Sequence, residues 1–226
     1  MDEGVRERER VRSLVHLCGE RRTETEHREW ALRYRVDVAR VYFSPRLATE
    51  RMRVVEHIRS CESKPGGVGH QDHSRVPRVL DMFAGVGPFS ILIARTLGLH
   101  VTAVDINPRA VDYLKANVAL NNVTSLVTPI CADALQFVAS PEEGGGDYHY
   151  IIMNLPHTAL EYLPAALRRL AKGGVVFLYA IVPRGTRPDA VTLPDLEVPV
   201  TPMEIHPVHP YSPKEDMVAI YLHRGH

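Results

Sequence analysis

Cysteine is scarce: Cys18, Cys61 and Cys131 are the three in 226 residues, too few and too widely spaced for a disulfide framework or a zinc ribbon. No stretch approaches the ~18 consecutive apolar residues of a membrane-spanning helix, so no membrane association is expected. The opening MDEGVRERERVR is charged throughout. It lacks the apolar stretch of a secretory signal, which predicts a cytoplasmic protein. Net charge is missing too, since 27 basic and 27 acidic residues cancel, and overall electrostatics neither require nor exclude a polyanionic partner. The histidines offer no metal site: no carboxylate stands at ligand spacing around His70 and His73 or around His206 and His209. What remains is an ordinary folded composition, 45% hydrophobic and 24% charged, long enough for one α/β domain with a small appendage.

The charge has an uneven distribution. The first 60 residues hold 14 arginines and no lysine against 11 acids. The planar guanidinium grips phosphate with two bonds where lysine offers a point charge; a solvated or ion-paired surface is the plainer alternative. Lys64 to Arg75, KPGGVGHQDHSR, has three glycines and a proline without periodicity and reads as a linker. It divides the chain into a small α+β domain with a linking helix (1–63), the linker (64–75) and a larger domain (76–226). In the first part, Trp30, Leu32, Tyr34, Val36 and Val38 alternate with polar or small residues as a strand with one buried and one wet, basic face. Ser44 and Pro45 then open a helix running from Arg46 to Ile58 with an apolar stripe of Leu47, Val54, Val55 and Ile58.

Beyond the linker, short apolar runs alternate with helical segments, the pattern of βαβ units and a parallel sheet. The runs are Val79 to Phe83, Val101 to Ile106, Leu126 to Cys131, Tyr150 to Leu155 and Val175 to Val182. Pro88 to Leu97 and Pro108 to Leu120 read as helices, the second capped by Asn107. Ala159 to Ala171 reads as a helix interrupted by Pro164 and stopped at Gly173 and Gly174. Two further strands, Glu197 to Val208 and Asp216 to His223, are expected around a proline-rich turn. The expected fold class is α/β, a doubly wound, Rossmann-like sheet.

The chemistry concentrates where expected strands end. In DMFAGVGPF (Asp81 to Phe89) the glycines Gly85 and Gly87 let backbone approach a ligand that a Cβ would exclude. Ser90 stands where a dinucleotide fingerprint has its third glycine, which argues against a nicotinamide oxidoreductase. Asp81 can instead take the amine or ribose side of a ligand without phosphates. Asp105, ending the second run, can accept both ribose hydroxyls, and Asp133 can receive an adenine amino group or cap the next segment. Taken in order, these features point to an S-adenosylmethionine pocket. At the same rim, Asn154-Leu155-Pro156 offers a donor and an acceptor to a planar heterocycle, with the proline fixing the chain direction. The next residue is His157, so the aromatic lid that follows such a motif in many N-methyltransferases is missing.

The stretches VARVYFSPRLATER (Val38 to Arg51), DMFAGVGPF, DINP (Asp105 to Pro108) and NLP (Asn154 to Pro156) together resemble the archaeal and eukaryotic type of tRNA (guanine-N1) methyltransferase, which acts at guanine 37 beside the anticodon. The resemblance covers nearly the whole chain. It implies a class I methyltransferase domain preceded by a small RNA-contacting domain, S-adenosylmethionine as donor, the tRNA anticodon stem-loop as partner, and a monomer. Members usually begin with a further domain touching the outer corner of tRNA, which these residues do not include; the chain is then a minimal member or a fragment. Phe83 and Ile106 join Asp81, Gly85, Gly87, Asp105, Asp133 and Asn154 as implied cofactor contacts. The proton on guanine N1, with a pKa about two units above neutral, costs about 3 kcal/mol to remove at neutral pH without a base. By resemblance the base is Glu50, brought over the pocket from the first domain. Arg46 and Arg51 would hold the substrate or orient the base, Asn154 would fix the guanine edge, Pro156 would shape the cleft, Tyr42 would stack on the flipped base and Arg10 would assist. The plainer reading of Glu50 is a surface pair with Arg46 or Arg53. Rival readings are a wyosine-pathway enzyme that transfers the aminocarboxypropyl group or methylates the tricyclic precursor, and a catalytically silent tRNA-binding module.

Overall fold

The computed structural model describes residues 14–63, 76–140, 147–187 and 190–225. Arg10, the expected linker, His70 and His73 lie outside the described residues. A hairpin of β1 (Glu24–Glu29) and β2 (Leu32–Asp37) leads through a single 3-10 turn (Pro45–Leu47) into α1 (Ala48–Glu62). Then follow β3 (Arg78–Asp81), α2 (Pro88–Leu97), β4 (His100–Asp105), α3 (Pro108–Leu120), β5 (Val127–Cys131), α4 (Ala134–Ala139), β6 (Tyr148–Met153), α5 (Ala159–Arg168), β7 (Leu170–Pro183), β8 (Val200–Ser212) and β9 (Glu215–Arg224).

Strands β3 to β9 form a seven-stranded sheet in the order β5-β4-β3-β6-β7-β9-β8. The first five positions run parallel, and β9 and β8 close the edge antiparallel. This is the Rossmann-like α/β arrangement expected from the alternation of apolar runs and helical segments. Because the connections after β3, β4, β5 and β6 all emerge at the carboxyl rim, the four segments that carry candidate chemistry meet at one edge.

The two helices whose starts the sequence announced begin as expected. Asn107 caps α3, its Oδ1 accepting from the N–H of Arg109 at 2.9 Å and of Ala110 at 3.4 Å, with Pro108 in the first turn. Helix α2 starts at Gly87 and ends at Gly98, both in the left-handed region at φ 91° and 71°. It buries Phe89, Ile91, Leu92, Ile93 and Ala94, and full burial of each large apolar side chain contributes roughly 1.5–3 kcal/mol.

Four expectations need correction. The expected strand from Trp30 is the second arm of a hairpin, and Trp30 and Ala31 are its turn, both at positive φ (52° and 61°). α5 ends at Arg168, and β7 begins at Leu170 and runs through Gly173 and Gly174. Gly173 has φ 74°, and a Cβ on Gly174 would press on the carbonyl oxygens of Ala171 and His149, so these glycines permit an irregular strand start beside β6 where a helix stop was expected. α4 was not foreseen. The expected strand at Glu197 begins at Val200 and continues to Ser212 through Pro202, Pro207 and Pro210; those prolines are tolerated because β8 is an edge strand, with register shifts at all three.

The hairpin is bound to the sheet layer by two asparagines of α3. Asn117 accepts from the Arg35 N–H (2.7 Å) and donates to the carbonyls of Arg35 (3.1 Å) and Val86 (3.0 Å). Asn121 accepts from the Arg33 N–H (3.0 Å) and donates to its carbonyl (2.7 Å). Residues i and i+4 of a helix are about 6 Å apart along its axis, and residues i and i+2 of a strand about 6.8 Å. The two amides therefore match the unpaired edge of β2 in place of a third strand. On the buried side Leu32, Tyr34 and Val36 join Val54, Val55 and Ile58 of α1, Phe89 and Phe177 in one hydrophobic cluster. The opposite sheet face is covered by α4 and α5.

Asn117→Ala leaves Arg35 N–H, Arg35 C=O and Val86 C=O without this partner, each worth about 1–3 kcal/mol where water cannot replace it. A loss of about 3 kcal/mol or more in chemical unfolding is expected. A loss below about 1 kcal/mol would mean that the hairpin docks through its apolar face alone.

Candidate active site

A cavity of about 310 Å³ opens at the carboxyl rim. Its floor is the β3–α2 loop, with Met82, Phe83, Ala84 and Gly85. One wall comes from Asp105, Ile106 and Asn107, another from Asp133 and Ala134, and a third from Asn154, Leu155, Thr158, Glu161 and Tyr162. Tyr42, Phe43, Ser44, Leu47 and Arg51 close it from the N-terminal side.

The two glycines of the loop have different jobs. Gly85, at φ 55°, faces the cavity and donates its N–H to Asp105 Oδ2 at 2.7 Å, while Asp105 Oδ1 accepts from Asn107 N–H at 2.9 Å. This carboxylate is thus oriented by backbone from both sides while lining the cavity, the placement expected of a group that accepts ribose hydroxyls. Gly87 is not at the cavity surface. A Cβ there would overlap Leu114 Cδ1 of α3, so Gly87 lets the loop seat under that helix.

Asp81 is placed differently from its expected role as a ligand contact. It is buried below the loop, with Oδ2 accepting from Ser90 Oγ at 2.7 Å. Burial, and then the charge of Asp105, push its carboxyl up to about 7, against the pull of Ser90. Ser90, set apart in the sequence only as a missing glycine, anchors Asp81. Asp133 does both things foreseen for it: it lines the cavity and caps α4, accepting from Leu135 N–H at 2.9 Å and Gln136 N–H at 3.3 Å. Phe83, Ile106 and Asn154 line the cavity; Phe83 meets Tyr162 edge-on with centroids 5.0 Å apart.

Among the residues expected to act on substrate, Tyr42 lines the cavity. Arg46 is exposed on the 3-10 turn between Ser44 and Leu47, which do line it. Pro156 is buried beside Asn154 and its carbonyl accepts from Ile181 N–H at 3.1 Å, which ties the turn to β7. Arg51 reaches the cavity wall with its charge already committed. It is 1% exposed, donates to both oxygens of Glu29 (2.7 and 2.6 Å) and to Ser44 O (3.2 Å), and lies over Phe43 and Phe89. A guanidinium so engaged builds the wall and does not hold a substrate.

Glu50 does not hang over the cavity. It stands behind the wall, 3% exposed, where Oε1 accepts from Tyr179 OH (3.1 Å) and Tyr221 OH (2.9 Å) and Oε2 accepts from Arg53 (3.3 Å) and lies 3.0 Å from His206 Nε2. Burial raises its pKa, but the hydrogen bond and charge of His206, the Tyr221 hydroxyl and the Arg53 charge outweigh that and hold it below the usual range. His206 also lies 2.9 Å from Glu204, so the expectation that no carboxylate attends it is corrected. Among the described residues no three His, Cys, Asp or Glu side chains gather as a metal site, and no helix is long and apolar enough to cross a membrane.

The sequence profile of the TRM5/TYW2 methyltransferase domain matches residues 25–194. The tRNA (guanine(37)-N(1))-methyltransferase Trm5b of Pyrococcus abyssi is 45% identical over 78% of this chain and 46% of its own length. The crystal structure of the Methanocaldococcus jannaschii tRNA m1G37 methyltransferase superposes with TM-score 0.77 at 35% identity, over 96% of this chain and 62% of that one. The complex of aTrm5 with tRNALeu gives TM-score 0.77 at 33% identity, over 99% of this chain and 60% of its own. The chain thus spans about half the length of the curated relative from P. abyssi.

The Asp81 carboxyl, raised from 3.8 to about 7 by folding, gives a signed prediction. Between these values the unfolded chain has released a proton that the folded chain keeps, so Asp81 lowers stability progressively as pH rises from about 4 to about 7, with no further change above. Asp81→Asn removes this contribution. In urea unfolding, the stability of the variant relative to the parent should rise between about pH 5 and about pH 8; a constant difference would place the Asp81 pKa near its ordinary value.

Proposed function

The chain belongs to the TRM5/TYW2 methyltransferase family, and from that membership we propose that it transfers a methyl group from S-adenosylmethionine to N1 of guanine 37 in tRNA. The observation that carries the proposal is the joining of two elements at one cavity: the Gly85 loop with its backbone-oriented Asp105, and the Asn154-Leu155-Pro156 turn. The first suits a nucleoside without phosphates. The second offers an amide to the edge of a purine, and its shortness supports methyl transfer over aminocarboxypropyl transfer. The names of the relatives, and the complex with tRNALeu, support the same substrate.

The donor fits what the cavity presents. Asp105 would take its ribose hydroxyls, Ile106 and Phe83 would pack on its adenosine, Asp133 would meet the adenine amino group, and the bare backbone at Gly85 leaves room close to the floor. When bound, the donor supplies an electrophilic methyl group on a sulfonium. The chain contributes alignment, which accounts for much of the barrier reduction in reactions between two bound partners. Asp105, with Asp81 behind it, sets carboxyl groups on the side of the cavity where a cationic ligand is favoured, and a cation there would draw the Asp81 pKa down and release its proton.

As N1 gains the methyl carbon and the sulfur–carbon bond breaks, the ring becomes cationic and its N1 proton strongly acidic. A carboxylate of low pKa then suffices as acceptor, and Glu50 is already ionised by its surroundings. Its place behind the Leu47–Arg51 wall sets a condition: the first turn of α1 must shift when the base enters. Tyr42 stacks on the incoming base and the exposed Arg46 meets its phosphate.

Labelled donor and unmodified tRNA transcripts bearing guanine or adenine at position 37 test the reaction; label on guanine N1 alone is expected, and a heavier adduct would overturn it. Glu50→Gln keeps the shape and most hydrogen bonds of the cage, so its unfolding midpoint should stay near the parent while single-turnover methylation falls by about 10²–10⁴. Parental turnover in this variant would remove Glu50 as acceptor. Asp105→Ala should instead weaken donor binding first, by tenfold or more in calorimetry.

A further inference from the structure

A nucleotide taken out of its loop needs a flat surface to stack on. Most aromatic rings around the cavity are already engaged. Phe83 meets Tyr162, Phe89 lies against Tyr179 and the Arg51 guanidinium, and Phe43 faces His27 at 4.9 Å. Tyr211 is placed differently. It stands on β8 next to the tip of the β8–β9 hairpin, 42% exposed. Its hydroxyl lies 2.7 Å from His157 Nε2, and the two rings meet edge-on with centroids 5.0 Å apart at 79°.

His157 is the residue that follows the Asn154-Leu155-Pro156 turn, and Thr158 after it lines the cavity. The turn is itself held to β7 through the Pro156 carbonyl. A ring on a hairpin that crosses from the far edge of the sheet is therefore fixed to the segment that carries Asn154. The missing aromatic after Pro156 is supplied from 54 residues further along the chain. Two exposed cations, Lys214 at the hairpin tip and Arg46 on the turn beside Ser44 and Leu47, pair with no carboxylate among the described residues. They supply charge for a phosphate backbone passing this rim.

We infer that the Tyr211 ring, locked in place by His157, is the stacking surface for an unpaired nucleotide adjacent to the base that enters the cavity. The inference rests on the tRNA reading above and adds a substrate-positioning pair to it. Neither residue touches the reacting atoms, so the pair acts on substrate affinity and leaves donor binding alone.

The test combines steady-state methylation of tRNA, anisotropy titration of a fluorescent anticodon stem-loop RNA, and calorimetric titration of S-adenosylmethionine. Tyr211→Ala should raise both KM for tRNA and the Kd of the stem-loop about tenfold, the worth of one base–aromatic stack, with kcat within about twofold and donor affinity unchanged. Tyr211→Phe keeps the ring and should stay near the parent; His157→Ala frees the ring and should move KM in the same direction by less. If the parent methylates tRNA and Tyr211→Ala matches it in KM and Kd, the stacking assignment is overturned and the tRNA reading stands. If Tyr211→Ala loses donor binding in parallel, the pair is a structural brace and the assignment is likewise overturned. A parent that neither binds the stem-loop nor methylates any tRNA overturns both.

Discussion

A guanidinium removed from water keeps its charge only where its donors meet acceptors, and Arg51 meets that requirement by drawing together four separate pieces of the chain. Glu29 comes from β1, the Ser44 carbonyl from the segment before α1, Phe89 from α2, and Arg51 itself from α1. Removing one partner of such a buried pair costs about 3–5 kcal/mol because the other is left charged and uncompensated. The N-terminal wall of the cavity is thereby a rigid extension of the sheet layer. This geometry also explains why the neighbouring residue faces away. On a helix successive side chains point about 100° apart, so with Arg51 turned to the cavity wall and Glu29, Glu50 is directed to the strands behind, where Tyr179, Tyr221 and His206 receive it.

The cavity floor carries a second division of labour, between two carboxylates. Asp105 is oriented by two backbone N–H groups and faces the cavity, whereas Asp81 is enclosed beneath it and titrates near 7. Burial is the larger cause and the Asp105 charge the smaller. The pair follows the general rule that neighbouring acids acquire different roles when their surroundings push their pKa values apart. The floor is thus less negative in the free protein than two aspartates would suggest, and its charge is available to grow when a cation is bound.

Much of this was legible in the sequence, for physical reasons that also explain the failures. Asn107-Pro108 and Gly98 are helix boundaries that act through their own backbone, so α2 and α3 were readable locally. The parallel runs were readable because strands covered on both faces have to be apolar. The hairpin turn at Trp30-Ala31 was not, since neither residue favours the positive φ that tertiary contacts impose; the Trp30 indole donating to the Ala48 carbonyl at 2.9 Å is one of them. Asp133 read as a ligand hid α4, because a capping carboxylate and a binding carboxylate look alike in one dimension. The roles of Arg51 and Glu50 could not be read at all: a charged residue on an amphipathic helix is ordinarily solvated, and only the partners Glu29, Tyr179 and His206, brought from 22, 129 and 156 residues away, show that these two are buried.

The antiparallel edge of the sheet ties these observations together. A parallel α/β sheet needs no β8–β9 hairpin to form a nucleoside cavity, since β3 to β6 supply the residues of its floor and far walls. What that edge brings is on the substrate side. Tyr221 of β9 and His206 of β8 complete the cage of Glu50, and Tyr211 at the hairpin tip meets His157 beyond the Asn154 turn. The hairpin therefore contacts the acceptor carboxylate at one point and the opening at another, along strands held by a continuous antiparallel ladder. Any movement of α1 that turned Glu50 toward the cavity would break its bonds to Tyr221 and His206, and any movement of the hairpin that followed it would carry Tyr211. Entry of the base and exposure of the carboxylate are on this argument mechanically coupled through one rigid element, which gives the accessory strands a part in the reaction that the nucleoside fold alone does not require.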